Sequence, residues 1–307
     1  MNLPSNLNIQ DSLAKRSLFK IHKKSELIKN MNVMNNIHPE AKIGKNVKIG
    51  AFVTVEKDVV IGDNTEVCPN AIIMNGTRIG NNCKIFPGAI VGTIPQDLKY
   101  NGERTYLEIG NNVTIREYCT INKGTINPKA GAEGRTIIKD NCLIMAYCHI
   151  AHDCIVHESS VLANNVTLAG HIEVGPKAIL GGLTAVHQFV RIGAHVMVGG
   201  GSLVRKDVPP FIKAAREPLS FAGVNAVGLR RKGFSDEQID HIQNIYRVLY
   251  QKGYNTTQAL DVIESTVVVT PERNSVLEFV KDTSRGIIRG YRSNNGNGKQ
   301  SNGSILS

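Results

Sequence analysis

The sequence predicts a mainly β fold, a parallel β-helix of hexapeptide repeats followed by a small α-helical C-terminal domain. Three observations carry that prediction: an aliphatic residue recurs every sixth position, the fifth position of each unit is small, and the period disappears after Pro209-Pro210. From Ile37 the aliphatics fall at Ile43, Ile49, Val55, Ile61, Val67, Ile73, Ile79, Ile85 and Val91, and the phase resumes at Ile109, Ile115 and Ile121. It runs again from Ile138 through Ile144, Ile150, Val156, Leu162, Leu168, Val174, Leu180, Val186, Ile192 and Val198 to Val204. A helix needs a period of 3.6 and a half-buried strand a period of 2. Six suits a short strand followed by a corner, and three such units close one triangular coil.

Each element follows from this ruler. One aliphatic per unit points inward and stacks on its counterpart one coil on. Gly, Asn or Asp follows it often (Gly44, Gly50, Gly62, Asp63, Gly80, Asn81, Gly110, Asn111), where corners call for tight or left-handed turns. Five of the six cysteines fall at the small fifth position, Cys83, Cys119, Cys142, Cys148 and Cys154, which reads as packing and not as reactivity. Residues 92–108 and 122–137 break the phase, are polar, and read as loops ejected from a rigid wall. The expected organisation is an N-terminal extension over 1–33, poorly ordered; the β-helix over 34–210; a helical domain over 211–292; and a disordered tail over 293–307. Within the helical domain, Ser235-Asp-Glu-Gln238 is a capping box that opens a helix running to about Gln251. A second helix is expected near Thr257, and a third after Pro271, a favourable first-turn proline.

Composition narrows the function. The 307 residues carry a formal net charge of +10, which points to an acidic partner or ligand. No apolar run approaches the roughly 20 residues that span a bilayer, so stable membrane insertion is not expected. The N-terminus lacks the apolar stretch of a secretory signal, and six cysteines without a C-x-x-C pair fit a reducing compartment. The expectation is a cytoplasmic protein; organelle targeting by residues 1–33 is the lesser alternative. Neither an aromatic platform nor a basic helix at a docking spacing supports nucleic-acid binding.

Of nine histidines, five lie between residues 149 and 187: His149, His152, His157, His171 and His187. Ile150, Leu168 and Val186 are eighteen residues apart, hence stacked on three successive coils. His152, His171 and His187 follow them by two, three and one residues, which predicts a vertical cluster of imidazoles beside one edge. Asp153 adjoins His152 and can orient its ring. Such a cluster suits a zinc site or a general base, and spacing alone does not choose between them.

Several strings go further. His149-Ile-Ala-His-Asp-Cys154, Leu168-Ala-Gly-His171, Gly181-Gly-Leu-Thr-Ala-Val-His-Gln-Phe189 and Ile192-Gly-Ala-His-Val-Met-Val-Gly-Gly200 resemble the bacterial UDP-N-acetylglucosamine O-acyltransferase family. So do Pro95-Gln-Asp-Leu-Lys-Tyr100 and Gly223-Val-Asn with Gly228-Leu-Arg-Arg-Lys-Gly-Phe234, and the resemblance covers about residues 35–290. It implies a trimer of left-handed parallel β-helices with active sites between neighbouring subunits. The implied reaction passes a (R)-3-hydroxyacyl chain from acyl carrier protein to the 3-hydroxyl of UDP-N-acetylglucosamine, the first step of lipid A synthesis, with no cofactor. By the same resemblance His152 is the general base, Asp153 its partner, and the Gly170 N–H the oxyanion donor. His149, His171, His187 and Gln188 line the sugar and acyl pocket, and Asp97 and Lys99 contact substrate from the first loop. Asn225 and Arg231 hold the UDP portion, and Gly200 limits acyl length. Lys232 stands where members carry a second arginine, which keeps the charge but loses the bidentate fork. Asn122 stands where some members have a histidine, and the second loop is longer and more basic.

This chemistry fits the residues on its own terms. A thioester is already activated, so transfer needs only a base for the attacking hydroxyl and a donor for the developing oxyanion. A G-x-S-x-G elbow for a nucleophilic serine is absent from the sequence. Arg230, Arg231 and Lys232 are the first candidates for phosphate or carrier contacts, with Arg205, Lys206, Lys213 and Arg216 behind them. The alternatives are a zinc-dependent, carbonic-anhydrase-like hydratase on the same solenoid, or a non-catalytic scaffold.

Overall fold

A computed structural model of the chain describes residues 34–128 and 131–290. The expected N-terminal extension and C-terminal tail lie outside the described residues. Two-residue strands one hexad apart fall in turn on three sheets, so that each coil contributes one strand to each. Among the described residues the sheets hold nine, eight and eleven strands. The registers follow the sequence ruler: Ile150 pairs with Leu168 and Leu168 with Val186 on the first sheet. On the second sheet Val156 pairs with Val174, and on the third Leu162 pairs with Leu180.

The inward aliphatics and the five fifth-position cysteines form one continuous core, with Ile85, Ile115, Ile150 and Leu168 wholly buried. Each such side chain contributes about 1.5–3 kcal/mol when removed from water. At the open end Ile37 and Ile43 remain over a third exposed, because no coil precedes them among the described residues.

The corners differ from expectation in an instructive way. The left-handed residue is the third after the inward aliphatic, as in Asn64, Asn82, Asp153, His171 and His195, with φ between 55° and 61°. The glycine directly after the aliphatic answers a different need, the close approach of the neighbouring coil. A Cβ on Gly62 would lie 2.6 Å from the Gly80 backbone. Asp63, Asn81 and Asn111 form a ladder instead: Asn81 Oδ1 accepts from the Asp63 N–H at 2.7 Å, and Asn111 Oδ1 from the Asn81 N–H at 2.8 Å. Each side chain thus satisfies a corner amide that the coil leaves unpaired.

The loops are shorter than the broken phase suggests. Strands Ile90–Thr93 and Tyr106–Ile109 continue the wall, so the first loop spans 94–105. The second leaves after Thr120–Asn122, folds back through an antiparallel pair, Ile126–Asn127 with Ala132–Glu133, and rejoins at Arg135–Ile138. Asn122 ties the two stems together, donating from Nδ2 to Thr93 Oγ1 at 2.5 Å and to Ile94 O at 2.8 Å.

Beyond Pro210 the third sheet does not stop where the period does: Ile212–Ala215, Ser220–Val224 and Arg289–Gly290 extend it. Four helices follow the turn, α1 (Ala226–Arg230), α2 (Asp236–Gln251), α3 (Thr256–Thr266) and α4 (Pro271–Lys281). Ser235 and Gln238 make the expected capping box at the start of α2. This helix closes the top of the solenoid: Tyr246 is fully buried and donates its O–H to Pro210 O at 2.5 Å. Arg191 fastens α4 to the wall through Asp282 at 2.9 Å and a cation–π contact with Phe279 at 4.7 Å.

Candidate active site

The corner between the first and second sheets carries the chemistry. On one coil His149–Ile150 leads into Ala151, His152, Asp153 and Cys154, and the next coil places Gly170 and His171 directly against them. Position along the corner decides what each side chain does. Asp153 and His171 occupy the left-handed position, with φ of 59° and 61°, which turns their side chains along the corner. His152 precedes it and lays its ring across the coil junction. Gly170 makes room for that ring: a Cβ there would lie 2.6 Å from His152 Cε1 and 2.8 Å from Nε2.

His152 Nδ1 lies 2.8 Å from Asp153 Oδ2, and the two side chains are 14% and 4% exposed. Burial alone would raise the Asp153 pKa, but hydrogen bonds from His152, the Thr125 hydroxyl and the Thr125 amide outweigh it and hold the carboxyl below its ordinary range. An ionised Asp153 keeps the proton on Nδ1 and leaves the Nε2 lone pair free to accept. His171 meets His152 edge-on at 5.1 Å and stacks flat on Phe189 at 4.5 Å. Burial lowers the His171 pKa against the pull of Asp153; His152 lowers it further and Asp97 of the first loop opposes. A neutral His171 beside His152 leaves Asp153 free to serve one cation at a time. Burial likewise lowers the pKa of His149, whose Nδ1 is 2.8 Å from Thr120 Oγ1.

The Gly170 N–H donates to no described acceptor, and Gly170 O accepts from the Phe189 N–H at 3.1 Å. The arrangement therefore offers a base with an orienting carboxylate and an unspent backbone donor on adjoining coils. Donor atoms of His152, Asp153 and His171 also lie within 4.8 Å of one another, the spacing of a metal site. However, the 2.8 Å contact commits His152 Nδ1 and Asp153 Oδ2 to each other.

The other expected residues do not all meet here. His187 and Gln188 lie one coil on at the same corner and are exposed, with His187 Nδ1 3.2 Å from Gln188 O. Phe189, not His187, is the ring that covers His171. His157 belongs to the next corner, where its Nε2 is 3.0 Å from Glu173 Oε1. Asp97 and Lys99 stand together on the first loop, with the Lys99 N–H donating to Asp97 Oδ1 at 3.0 Å. Asn225 and Lys232 lie by the second-to-third-sheet corner: Asn225 Nδ2 donates to His195 O at 3.0 Å, and Lys232 helps depress the His195 pKa. Arg231 is exposed beside Lys232, whereas Arg230 is engaged by Asp236 at 2.7 Å. Gly200 lies at the remaining corner, between the third and first sheets. Three groups of expected contacts thus occupy three different corners of one coil stack. Thr125 and Phe189 escaped the sequence reading, the first because it lies in an out-of-phase loop, the second because a corner phenylalanine looks like a core residue.

Comparison with known proteins gives a consistent result. The profile described as UDP N-acetylglucosamine O-acyltransferase, domain 2, matches residues 207–288, and the bacterial transferase hexapeptide profile matches 40–75, 58–93 and 135–170. An acyl-[acyl-carrier-protein]–UDP-N-acetylglucosamine O-acyltransferase of Campylobacter concisus is 42% identical over 263 residues, covering 83% of this chain and 97% of its own. That of Thiobacillus denitrificans is 46% identical over 199 residues, or 65% and 76% of the two chains. The crystal structure of a UDP-N-acetylglucosamine acyltransferase from Bacteroides fragilis superposes with a TM-score of 0.81 at 47% identity, over 83% of this chain and 98% of that one. An Arabidopsis enzyme of the same description gives 0.74 at 33% identity, over 83% and 99%.

Proposed function

This chain belongs to the acyl-[acyl-carrier-protein]–UDP-N-acetylglucosamine O-acyltransferase family, and from that premise we propose that His152 is the base that drives its acyl transfer. The enzyme acylates UDP-N-acetylglucosamine from acyl carrier protein in lipid A biosynthesis. In the proposed reaction the sugar 3-hydroxyl approaches His152 Nε2, while Asp153 Oδ2 holds Nδ1–H and stabilises the imidazolium that forms. The alkoxide oxygen attacks the thioester carbonyl of the (R)-3-hydroxyacyl donor. The oxyanion of the tetrahedral intermediate takes the Gly170 N–H, and its collapse breaks the C–S bond. The imidazolium then returns its proton to the departing thiolate. A positioned base supplies about 10²–10⁴ in rate and one oxyanion donor about 10²–10³. The single observation that carries this reading is the His152–Asp153 contact at 2.8 Å, beside the Gly170 amide on the next coil, which has no acceptor among the described residues.

The working unit is a homotrimer. His152, Gly200 and the Asn225–Arg231–Lys232 group lie at different corners, so a ligand that touches all of them lies between copies. Phe52, Tyr118, Tyr147 and Leu183 form an exposed stripe at the corner that also carries Gly200, being 52%, 56%, 57% and 68% exposed. All four are large side chains at left-handed φ, a strained placement that a neighbouring copy covers in this reading. On the nucleotide side Arg231 and Lys232 hold the diphosphate, and Asp97 and Lys99 on the first loop contact the bound substrates. No described helix is long and apolar enough to cross a membrane.

Mass spectrometry of the product from (R)-3-hydroxyacyl carrier proteins and UDP-N-acetylglucosamine tests the proposal. The expected product is the 3-O-acyl nucleotide sugar, made by the native enzyme and lost in His152→Ala. Undiminished formation in that variant removes His152 from the mechanism.

A further inference from the structure

We propose that Thr125, on the stem of the second loop, is a positioning residue: its amide and hydroxyl grip both oxygens of Asp153 and set the plane in which that carboxylate meets His152. The inference rests on the reading of His152 as base and deepens it. The Thr125 N–H donates to Asp153 Oδ1 at 2.8 Å, and the Thr125 hydroxyl donates to Oδ2 at 2.6 Å. Oδ2 is the same oxygen that meets His152 Nδ1 at 2.8 Å. From the other side Thr136 Oγ1 accepts the Asp153 N–H at 2.8 Å. Asp153 therefore has its backbone held by the wall strand and its carboxylate held by the loop.

The loop is built to deliver this contact. Thr125 is 5% exposed, and its carbonyl accepts from the Gly134 N–H at 2.8 Å across the stem. The Gly124 N–H donates to Tyr106 O at 3.1 Å, which fixes the stem to the strand that ends the first loop. A side chain at position 124 is excluded, because a Cβ there would lie 2.2 Å from the Arg135 amide. Without the Thr125 hydroxyl the loop holds the carboxylate through the amide on Oδ1 alone, so the carboxylate can rock about its Cβ–Cγ bond and Oδ2 meets the imidazole in a range of planes. Thr125 thus does its work from behind the base, through Asp153.

The groups facing His152 are Asp153 on its own corner, His171 one coil on, and, through His171, Asp97 of the first loop. Removing the Thr125 hydroxyl leaves more negative charge on Oδ2 and stabilises the imidazolium, which delays deprotonation of the base. Steady-state kinetics of Thr125→Val on the intact enzyme test this. The expected kcat falls about 10- to 100-fold, the scale of one hydrogen bond to a charged group. Both KM values hold, since Thr125 is buried and its hydroxyl is spent on Asp153. The acidic limb of kcat moves to higher pH, because the carboxylate oxygen that faces the imidazole has one hydrogen bond fewer. Thr125→Ser, which keeps amide and hydroxyl, restores the rate and the limb. Thr125→Ala, which opens space where valine fills it, gives the same displaced limb. A Thr125→Val enzyme with native kcat overturns the proposal, as does a slower one whose limb has not moved or that serine does not rescue. His152→Ala, assayed alongside, separates the two claims: full activity there sinks the base itself, while a dead His152→Ala beside a native Thr125→Val sinks the positioning role alone.

Discussion

Gly170→Ala is the sharpest perturbation that the candidate site allows. The added Cβ would lie 2.6 Å from His152 Cε1, 2.8 Å from Nε2 and 3.3 Å from Nδ1. Carbon contacts settle near 3.5–4.0 Å, so the imidazole must retreat by about 1 Å. The clash falls on a side chain and not on backbone, and Gly170 is not among the positive-φ residues, so alanine is conformationally tolerated. The cost therefore falls on geometry and not on the fold. A displacement of about 1 Å at a reacting group costs about 10²-fold in rate, or roughly 2.7 kcal/mol of transition-state stabilisation. The assay is kcat with acyl carrier protein donor and saturating UDP-N-acetylglucosamine, paired with a thermal melt. The expected outcome is a kcat about 100-fold lower with a melting temperature within a few degrees of native. A Gly170→Ala enzyme with native kcat would show that the ring does not lie where the reaction needs it.

Further outcomes follow from other corners. Arg231→Glu should raise the KM for the nucleotide sugar, and mixing it with His152→Ala subunits should recover activity above either parent, because one interface then keeps both native groups; no recovery places both residues in one protomer's site. Burial, with Lys177 and Lys232 nearby, pushes the His195 pKa down to about 4, whereas the unfolded value is near 6.5. The unfolded chain then binds more protons between those limits, so this histidine costs stability as pH falls from 6.5 to 4, by about 2 kcal/mol after allowance for partial exposure. Denaturant melts of His195→Gln should show a shallower loss than the native protein over that window; parallel curves would contradict the buried neutral ring. Burial raises the thiol pKa of Cys142 to about 11 and of Cys154 to about 12, so iodoacetamide should leave both unmodified in the native protein at pH 8. Rapid labelling would show that the core opens.

The solenoid was legible because its physics is local and repeated. One inward aliphatic per hexad fixes the strand, the sheet and the stacking partner, and the register Ile150–Leu168–Val186 followed without further information. The inward cysteines and the helix starts at Ser235 and Pro271 were equally readable, the first from phase and the second from capping chemistry. What escaped depended on direction and not on position. The repeat put three histidines beside one edge, but the rotation of each corner residue separates His187 from the ring pair of His152 and His171. The Thr125–Asp153 contact spans 28 residues and a loop whose hairpin has no hexad phase, so periodicity had no purchase on it. The strands after Pro210 were hidden because they leave the hexad phase: Ile212–Ala215 still pairs parallel to the last coil, but Ser220–Val224 folds back antiparallel on it.

The pH dependence of kcat/KM for native enzyme and His152→Ala, with product read by mass spectrometry, bears most directly on the proton transfer at the centre of this account. The native profile should rise through a single ionisation as an imidazole loses its proton. The variant should fall by at least about 10²-fold and lose that ionisation. A variant within tenfold of native, rising through the same ionisation, would assign the base to another residue.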